Sequence, residues 1–275
     1  MDAAGDRLKT ALVTGATDGI GFETARQLAA QGLRVLVHGR NADKAGAAAQ
    51  RIAGGTPGAR VEPVVADLAR MAEVVALART VEAKAPALDV LLNNAGVYAD
   101  TRQLTPDGLE TTMAVNHFAP FLLTHRLLAA VKRAPHGRVV TVSSMAHASG
   151  EIDVNDLSLA RGYTGYGAYS TSKLANILFT VAAAKRLTGT RATANCLHPG
   201  VIATKLLRAG FGMGGGSVER GARTSVYLAT SPEAEGVTAK YFVDGQAATP
   251  SRRARDDRLA EVLWEASERT LAAWL

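Results

Sequence analysis

Short apolar runs rich in β-branched residues alternate with longer amphipathic stretches through the first half of the chain. TALVTG (10–15) reads as a strand and IGFETARQLAAQG (20–32) as a helix closed by Gly32. RVLVHG (34–39) reads as a strand, and the segment 41–54 as a helix with Asn41 as N-cap. The same alternation continues with a strand over 61–67, a helix over 71–84 and a strand with its turn over 88–96. A long apolar helix is predicted over 113–131 and a strand over 137–144. A further helix at 167–187 and a strand and turn at 192–200 follow.

The predicted strands are continuous apolar runs without polar alternation, as expected when helices cover both faces of a sheet. Repeated strand–helix units with short connections imply a parallel, doubly wound α/β sheet of about seven strands with right-handed crossovers. No repeat, polar linker or low-complexity tract divides the chain, so residues 1–275 are expected to form one domain. Residues 8–145 would be mainly a nucleotide-binding half. Residues 146–275 would carry a catalytic helix, a substrate lid and a C-terminal helix. Residues 205–217, which include the glycine-rich stretch 208–217, are the expected lid, with Leu206, Leu207, Phe211 and Met213 as apolar anchors. The amphipathic segment 257–275 is expected to cap the substrate side or join a subunit interface.

Composition narrows the function classes. The net charge is +6, but the basic residues are scattered and aromatics make up 5%, which argues against a nucleic-acid platform. The single cysteine, Cys196, excludes an internal disulfide and reads as a small buried residue. The N-terminus lacks the layout of a secretory signal, and no run approaches the roughly 20 apolar residues of a membrane span. A cytoplasmic protein without a membrane anchor is expected. The six histidines show no metal-ligand spacing, so no metal site is expected. His198 reads as structural, and His147 is a candidate to face substrate.

The first chemical motif is TGATDGIG (14–21), between a predicted strand and a predicted helix. Gly15 permits a tight turn, Gly19 lets backbone approach a phosphate, and Gly21 lets the helix pack closely. The helix N-terminus offers free N–H groups and partial positive charge to a pyrophosphate. No lysine follows the glycines, which disfavours a nucleoside triphosphate loop. Gly15, Thr17, Asp18, Gly19, Ile20 and Gly21 are therefore candidate dinucleotide contacts in a Rossmann-type domain. At the end of the second strand stand Gly39 and Arg40, where an acidic residue would bind ribose hydroxyls. Arg40 can instead pair with a 2′-phosphate, with Lys44 adding charge. This favours NADP(H), with NAD(H) as the alternative, although Asp18 argues the other way.

The second motif is AYSTSKLAN (168–176). Positions i and i+4 of a helix share a face, so Tyr169 and Lys173 project together. An adjacent ammonium favours phenolate and lowers a tyrosine pKa toward the range useful for acid–base catalysis. Ser143 and Ser144 end one strand, Asn94 to Gly96 follow another, and His198 to Gly200 follow a third. Ligands bind beyond the carboxyl ends of parallel strands, so these ends are expected to meet the tyrosine helix beside the nucleotide.

With these residues in order, the chain resembles the short-chain dehydrogenase/reductases, and in particular the retinol dehydrogenase-like subgroup. The resemblance rests on TGATDGIG, Asp67-Leu68, NNAG (93–96), Asn116 in MAVNHF, the serine pair, YSTSK (169–173) and HPGVIAT (198–204). The interval from Ser144 to Tyr169, 25 residues, is about twice the family's usual one. The resemblance implies hydride exchange between a nicotinamide cofactor and a carbonyl or alcohol on an apolar small molecule. It implies Tyr169 as proton donor or acceptor and Lys173 as its modulator and a partner of the nicotinamide ribose. It further implies Ser144 at the substrate oxygen and Asn116 in a water relay to Lys173. Asp67 and Leu68 would meet the adenine, and Asn94, Ala95 and Gly96 the adenosine ribose. Pro199, Gly200, Ile202 and Thr204 would border the nicotinamide. Family members form homodimers or homotetramers on their long helices, and the sequence does not choose between them. The alternative is a non-catalytic NADP(H)-binding regulator or scaffold. Such proteins typically lose the tyrosine or the lysine.

Overall fold

A computed structural model describes residues 7–207, 212 and 214–275. Its elements follow the predicted alternation: β1 Thr10–Val13, α1 Gly19–Ala30, β2 Arg34–Gly39, α2 Ala42–Gly55, β3 Arg60–Val65, α3 Met71–Lys84 and β4 Val90–Asn93. The next helix starts at Thr111–Met113, widens into a π-helical turn over Ala114–Phe118 and continues as α4, Ala119–Arg133. Then come β5 Arg138–Val142, α5 Gly165–Arg186, β6 Thr193–His198, α6 Val218–Thr230, β7 Tyr241–Val243, β8 Gln246–Ala248 and α7 Asp257–Thr270.

The eight strands form one sheet in the order β3-β2-β1-β4-β5-β6-β7-β8. All neighbouring pairs are parallel except β7 and β8. Strand order reverses between β1 and β4, and a crevice opens at such a switch point beyond the strand ends. Strand side chains alternate between the two faces. Leu12, Leu36 and Leu91 join the core formed with α3, α4, α5 and α7. Ala11, Val13, Val35 and Val37 join the core under α1, α2 and α6.

Four features depart from the expectations. β3 is an edge strand with most of its residues exposed or half-buried, and it carries Pro63. An edge tolerates proline because one row of N–H groups has no strand partner. The long apolar helix contains a π-helical turn centred on Asn116. An eighth strand completes the sheet through a tight turn at Asp244 and Gly245, whose φ angles are 48° and 78°. Two adjacent positive φ angles suit a two-residue hairpin, and Asp-Gly is a strong signal for one. Finally, α7 is a core element rather than a cap on the substrate side. Trp264 is buried, with its ring 6.0 Å from Phe179 and 4.7 Å from Phe121. Among the described residues no helix is long and apolar enough to cross a membrane.

Candidate active site

A cleft of about 1130 Å³ opens at the switch point. Its floor is the β1–α1 loop, and local sequence dictates that loop's shape. Gly15 and Gly19 adopt φ of 63° and 57°, a region that L side chains rarely enter. Gly21 lets the first turn of α1 pack closely on the segments that follow β1 and β4. A Cβ there would lie 2.3 Å from the Gly15 carbonyl oxygen and 2.4 Å from Asn94 Nδ2. The Asn94 amide donates to the carbonyls of Thr14, at 2.8 Å, and Gly15, at 3.3 Å. The Thr14 hydroxyl accepts from the backbone N–H groups of Asn94 and Ala95. Thus the ends of β1 and β4 are tied together before any ligand arrives.

His38 holds the loop from the other side, although it was not among the residues singled out from sequence. Its Nδ1 accepts from the Gly15 N–H at 3.1 Å, and its Nε2 donates to the Ala66 carbonyl at 3.0 Å. Burial pushes its pKa down to about 4, so the ring is neutral and can play both parts. The available signal was a histidine inside an otherwise apolar strand.

Of the predicted dinucleotide residues, Gly15, Thr17, Asp18, Gly19, Ile20 and Arg40 line the cleft. Asp67, Leu68, Asn94, Ala95 and Gly96 line it too, as do Pro199, Gly200, Ile202 and Thr204. Gly21 and Lys44 are absent from the lining. Gly39 is buried where a Cβ would stand 2.5 Å from the Thr17 methyl. An acidic side chain at that position would therefore meet Thr17 before it met any ribose. Asp18 is bridged by Lys205, which follows Thr204 on the opposite wall. The hydrogen bond from Lys205 is the main reason that the Asp18 carboxyl is held below its ordinary pKa.

The chemistry is concentrated where β5 meets α5. The two serines ending β5 do different things. Ser143 is buried and donates its hydroxyl to the Lys173 carbonyl at 2.7 Å. The Ser144 hydroxyl accepts from the Ala146 N–H and lines the cleft together with Tyr169. Lys173 is almost fully buried, and its Nζ donates to the Val142 carbonyl at 3.2 Å. That Nζ lies 5.4 Å from the centre of the Tyr169 ring. Burial pushes Lys173 down to about 8. The same burial raises the Tyr169 phenol, while the Ser144 side chain pulls it the other way. Desolvation thus outweighs the Ser144 contribution, and the net shift of the phenol is upward.

Asn116 serves as a brace. Its Oδ1 accepts from the Val97 N–H at 2.8 Å, and its Nδ2 donates to the Val97 carbonyl and to Ser172 Oγ. This pins the β4 turn to α5 and places the Asn116 side chain beside Gly96 with Lys173 Nζ on the same side. His147 does not face substrate. Its Nδ1 donates to the Ser144 carbonyl at 2.7 Å, and its Nε2 accepts from the Ser251 N–H at 3.1 Å. It therefore fastens the turn that carries Ser144. Burial lowers its pKa.

The long interval before Tyr169 starts as a 3₁₀ turn, Met145–Ser149, and runs on to Thr164, the N-cap of α5. The Tyr163 hydroxyl donates to the Ala99 carbonyl at 2.9 Å, and Arg102 donates to the carbonyls of Ser158 and Leu159. The insertion is thereby tied to the loop after β4. Met145, Tyr166 and Val201 are large hydrophobics that stay exposed, at 59%, 46% and 42%, and all three line the cleft. Leu206 and Leu207 line it as well. Phe211 and Met213 lie outside the described residues, as do residues 208–210 of the proposed lid.

An extended phosphorylated ligand fits this cleft. The volume lies slightly above the ~300–1,000 Å³ of ordinary small-molecule sites. The first turn of α1 provides backbone N–H groups where a pyrophosphate would lie, and Gly15 and Gly19, both with positive φ, shape the loop so that a ligand can approach that turn closely. Lys173 brings three donors, and one protein acceptor is assigned to it.

Residues 9–211 match the family model described as short chain dehydrogenase. Retinol dehydrogenase 12 of Mus musculus is 40% identical over 94% of this chain and 85% of its own length. Retinol dehydrogenase 14 of Homo sapiens is 39% identical with the same coverage. Among solved structures, an uncharacterized protein from Mycobacterium Paratuberculosis superposes with a TM-score of 0.81 at 36% identity, covering 98% of this chain and 97% of its own. A gluconate 5-dehydrogenase from Burkholderia cenocepacia, in complex with NADP and tartrate, gives a TM-score of 0.70 at 26% identity, over 86% and 94% of the two chains. The fold, the ordered motifs, the matched family model and these relatives lead to one assignment: the chain belongs to the short chain dehydrogenases, in their retinol dehydrogenase-like branch, and is an oxidoreductase for NAD(P)-dependent carbonyl and alcohol interconversion.

Proposed function

We propose that the protein is an NADP(H)-preferring oxidoreductase acting on an apolar small-molecule carbonyl or alcohol, with Tyr169 as its general acid and base. The observation that carries this reading is the buried Lys173 with its Nζ 5.4 Å from the centre of the Tyr169 ring, both lining with Ser144 the cleft that also holds the glycine loop. When bound, the nicotinamide gives or takes the hydride, which is the cofactor's own chemistry.

The chain's residues manage the proton. The raised Tyr169 pKa keeps the phenol protonated at neutral pH, ready to give its proton to a carbonyl oxygen during reduction. The Ser144 hydroxyl stands where that oxygen would be held as negative charge develops on it. Lys173, still protonated below about pH 8, stabilises the tyrosinate left behind and offers N–H groups to a ribose hydroxyl. In oxidation the same groups act in reverse. Apolar substrate preference is supported by Met145, Tyr166, Val201, Leu206 and Leu207 around the cleft, and the curated relatives are named for retinol. NADP(H) preference is supported by Arg40 at the end of β2 and by Lys205 neutralising Asp18.

Tyr169→Phe tests the assignment. The variant is expected to lose about 10²- to 10⁴-fold in kcat, the usual worth of a positioned acid or base. It should bind NADPH as the wild type does in a fluorescence titration. A variant retaining comparable turnover would remove the proton-transfer role.

A further inference from the structure

We infer that Arg51 of α2 is a second cation for the 2′-phosphate of NADP(H), acting together with Arg40. Arg51 lies eleven residues beyond Arg40, outside the strand-end position where such a residue is sought, yet both line the same cleft. Its guanidinium carbon sits 4.3 Å from the centre of the Phe22 ring, so α1 supplies a flat platform for it. A stacked arginine keeps its planar fork of donors free at the edge, a geometry suited to phosphate.

The surroundings support that role. The Thr17 methyl lies over Gly39, which seats the Thr17-Asp18 turn on the end of β2 beside Arg40. Arg51 lines the cleft together with Thr17, Asp18 and Arg40, and its charge reaches Asp18 and helps to lower its carboxyl pKa. Asp18 itself is taken by Lys205. Among the described residues, no carboxylate forms an ion pair with Arg40 or with Arg51. Two arginines without counter-ions, one preoriented on an aromatic ring, thus share a cleft with a turn whose acidic residue is already neutralised. A dianionic monoester is the ligand chemistry that this arrangement suits.

The inference rests on the NADP(H) preference proposed above, and the test separates the two. Binding of NADPH, NADH, 2′,5′-ADP and 5′-AMP is measured by calorimetry on wild type, Arg51→Gln, Arg40→Gln and Phe22→Leu. Arg51→Gln is expected to raise the Kd for NADPH and for 2′,5′-ADP about tenfold, the worth of one charge-assisted hydrogen bond. NADH and 5′-AMP should change by less than about twofold, because they lack the phosphate that the charged bond serves. Phe22→Leu should shift the same two ligands in the same direction by less. Arg51 is exposed, so the variant is expected to keep the wild-type fold. A wild type that prefers NADPH, combined with an Arg51→Gln variant that binds it unchanged or loses NADH equally, overturns the role of Arg51 alone. A wild type that binds NADH as tightly as NADPH overturns the cofactor preference and this inference with it.

Discussion

The glycine loop after β1 and the catalytic face of α5 line one cleft, yet they are built in opposite ways. Close approach determines the loop's shape. Glycines turn it, while Thr14, Asn94 and an uncharged His38 hold its backbone. The catalytic face is polar but buried. Ser170, Ser172 and Lys173 lie almost wholly away from water on a helix packed on nearly every side. At the loop, reactivity toward phosphate comes from oriented N–H groups. At α5, it comes from the cost of keeping an ammonium and a phenol out of water. The difference teaches that the two halves of the site should fail differently: the loop through geometry, the catalytic face through protonation.

The largest expected effect bears on the catalytic face. The folded-state pKa of Lys173 is lowered from 10.5 to about 8, so the unfolded chain binds more protons between those values. This group therefore costs stability below about pH 8, and the cost is relieved as pH rises through that window. Lys173→Met should abolish turnover and raise Tm at pH 7 by several degrees. The Val142 carbonyl is not orphaned by the change, because Asn176 Nδ2 also donates to it. The gain should shrink as pH rises above 8 in a thermal-shift series. A lower Tm at pH 7 would mean that the buried ammonium stabilises the fold, and the contrast between the two regions would collapse.

Gly21→Ala probes the loop. The added methyl meets the Gly15 carbonyl at 2.3 Å, far inside contact distance, and backbone must move to admit it. Overpacking of this kind costs about 1–3 kcal/mol. Dinucleotide affinity should fall about tenfold or more, while the pH dependence of kcat stays that of the wild type. Unchanged binding would show that the loop is looser than its contacts suggest.

The smallest effect sharpens the comparison at low pH. His38 has its pKa lowered from 6.5 to about 4. Its contribution is fully present above about pH 6.5 and is lost as pH falls through about 4, because protonation removes the acceptor for the Gly15 N–H. His38→Leu should weaken NADPH binding severalfold at pH 7, about the worth of one neutral hydrogen bond. It should also flatten the acid limb of affinity against pH. A variant that keeps the wild-type acid limb would assign that limb to another group.

Much of this was legible in the residues themselves. Up to β6 the strand–helix alternation located the elements to within a few positions because apolar runs and helical periodicity are local signals, whereas α6, β7 and β8 carried no reading from sequence. The glycine loop was readable because positive φ and close approach leave little choice of residue. The Tyr169–Lys173 pair followed from the helical repeat. Other features had no local signature. Nothing in VVTVSS separates a serine bonded to the Lys173 carbonyl from one bonded to the Ala146 N–H, since a strand turns alternate side chains to opposite faces. His147 changed from a substrate-facing candidate to a fastener because Ser251, 104 residues later, donates to its second nitrogen.

Sequence alone determined the order of elements, the turn chemistry of the phosphate loop and the helical spacing of the acid–base pair, because each depends on residues a few positions apart. Tertiary structure decided the protonation balance of Tyr169 and Lys173, the bonds of Asn116 and His38, and the placing of Arg40 and Arg51. Those depend on burial and on groups from distant strands and helices, of which Arg40 and Arg51 share only the lining of one cleft, and desolvation is a property of the packed fold rather than of any short stretch of chain.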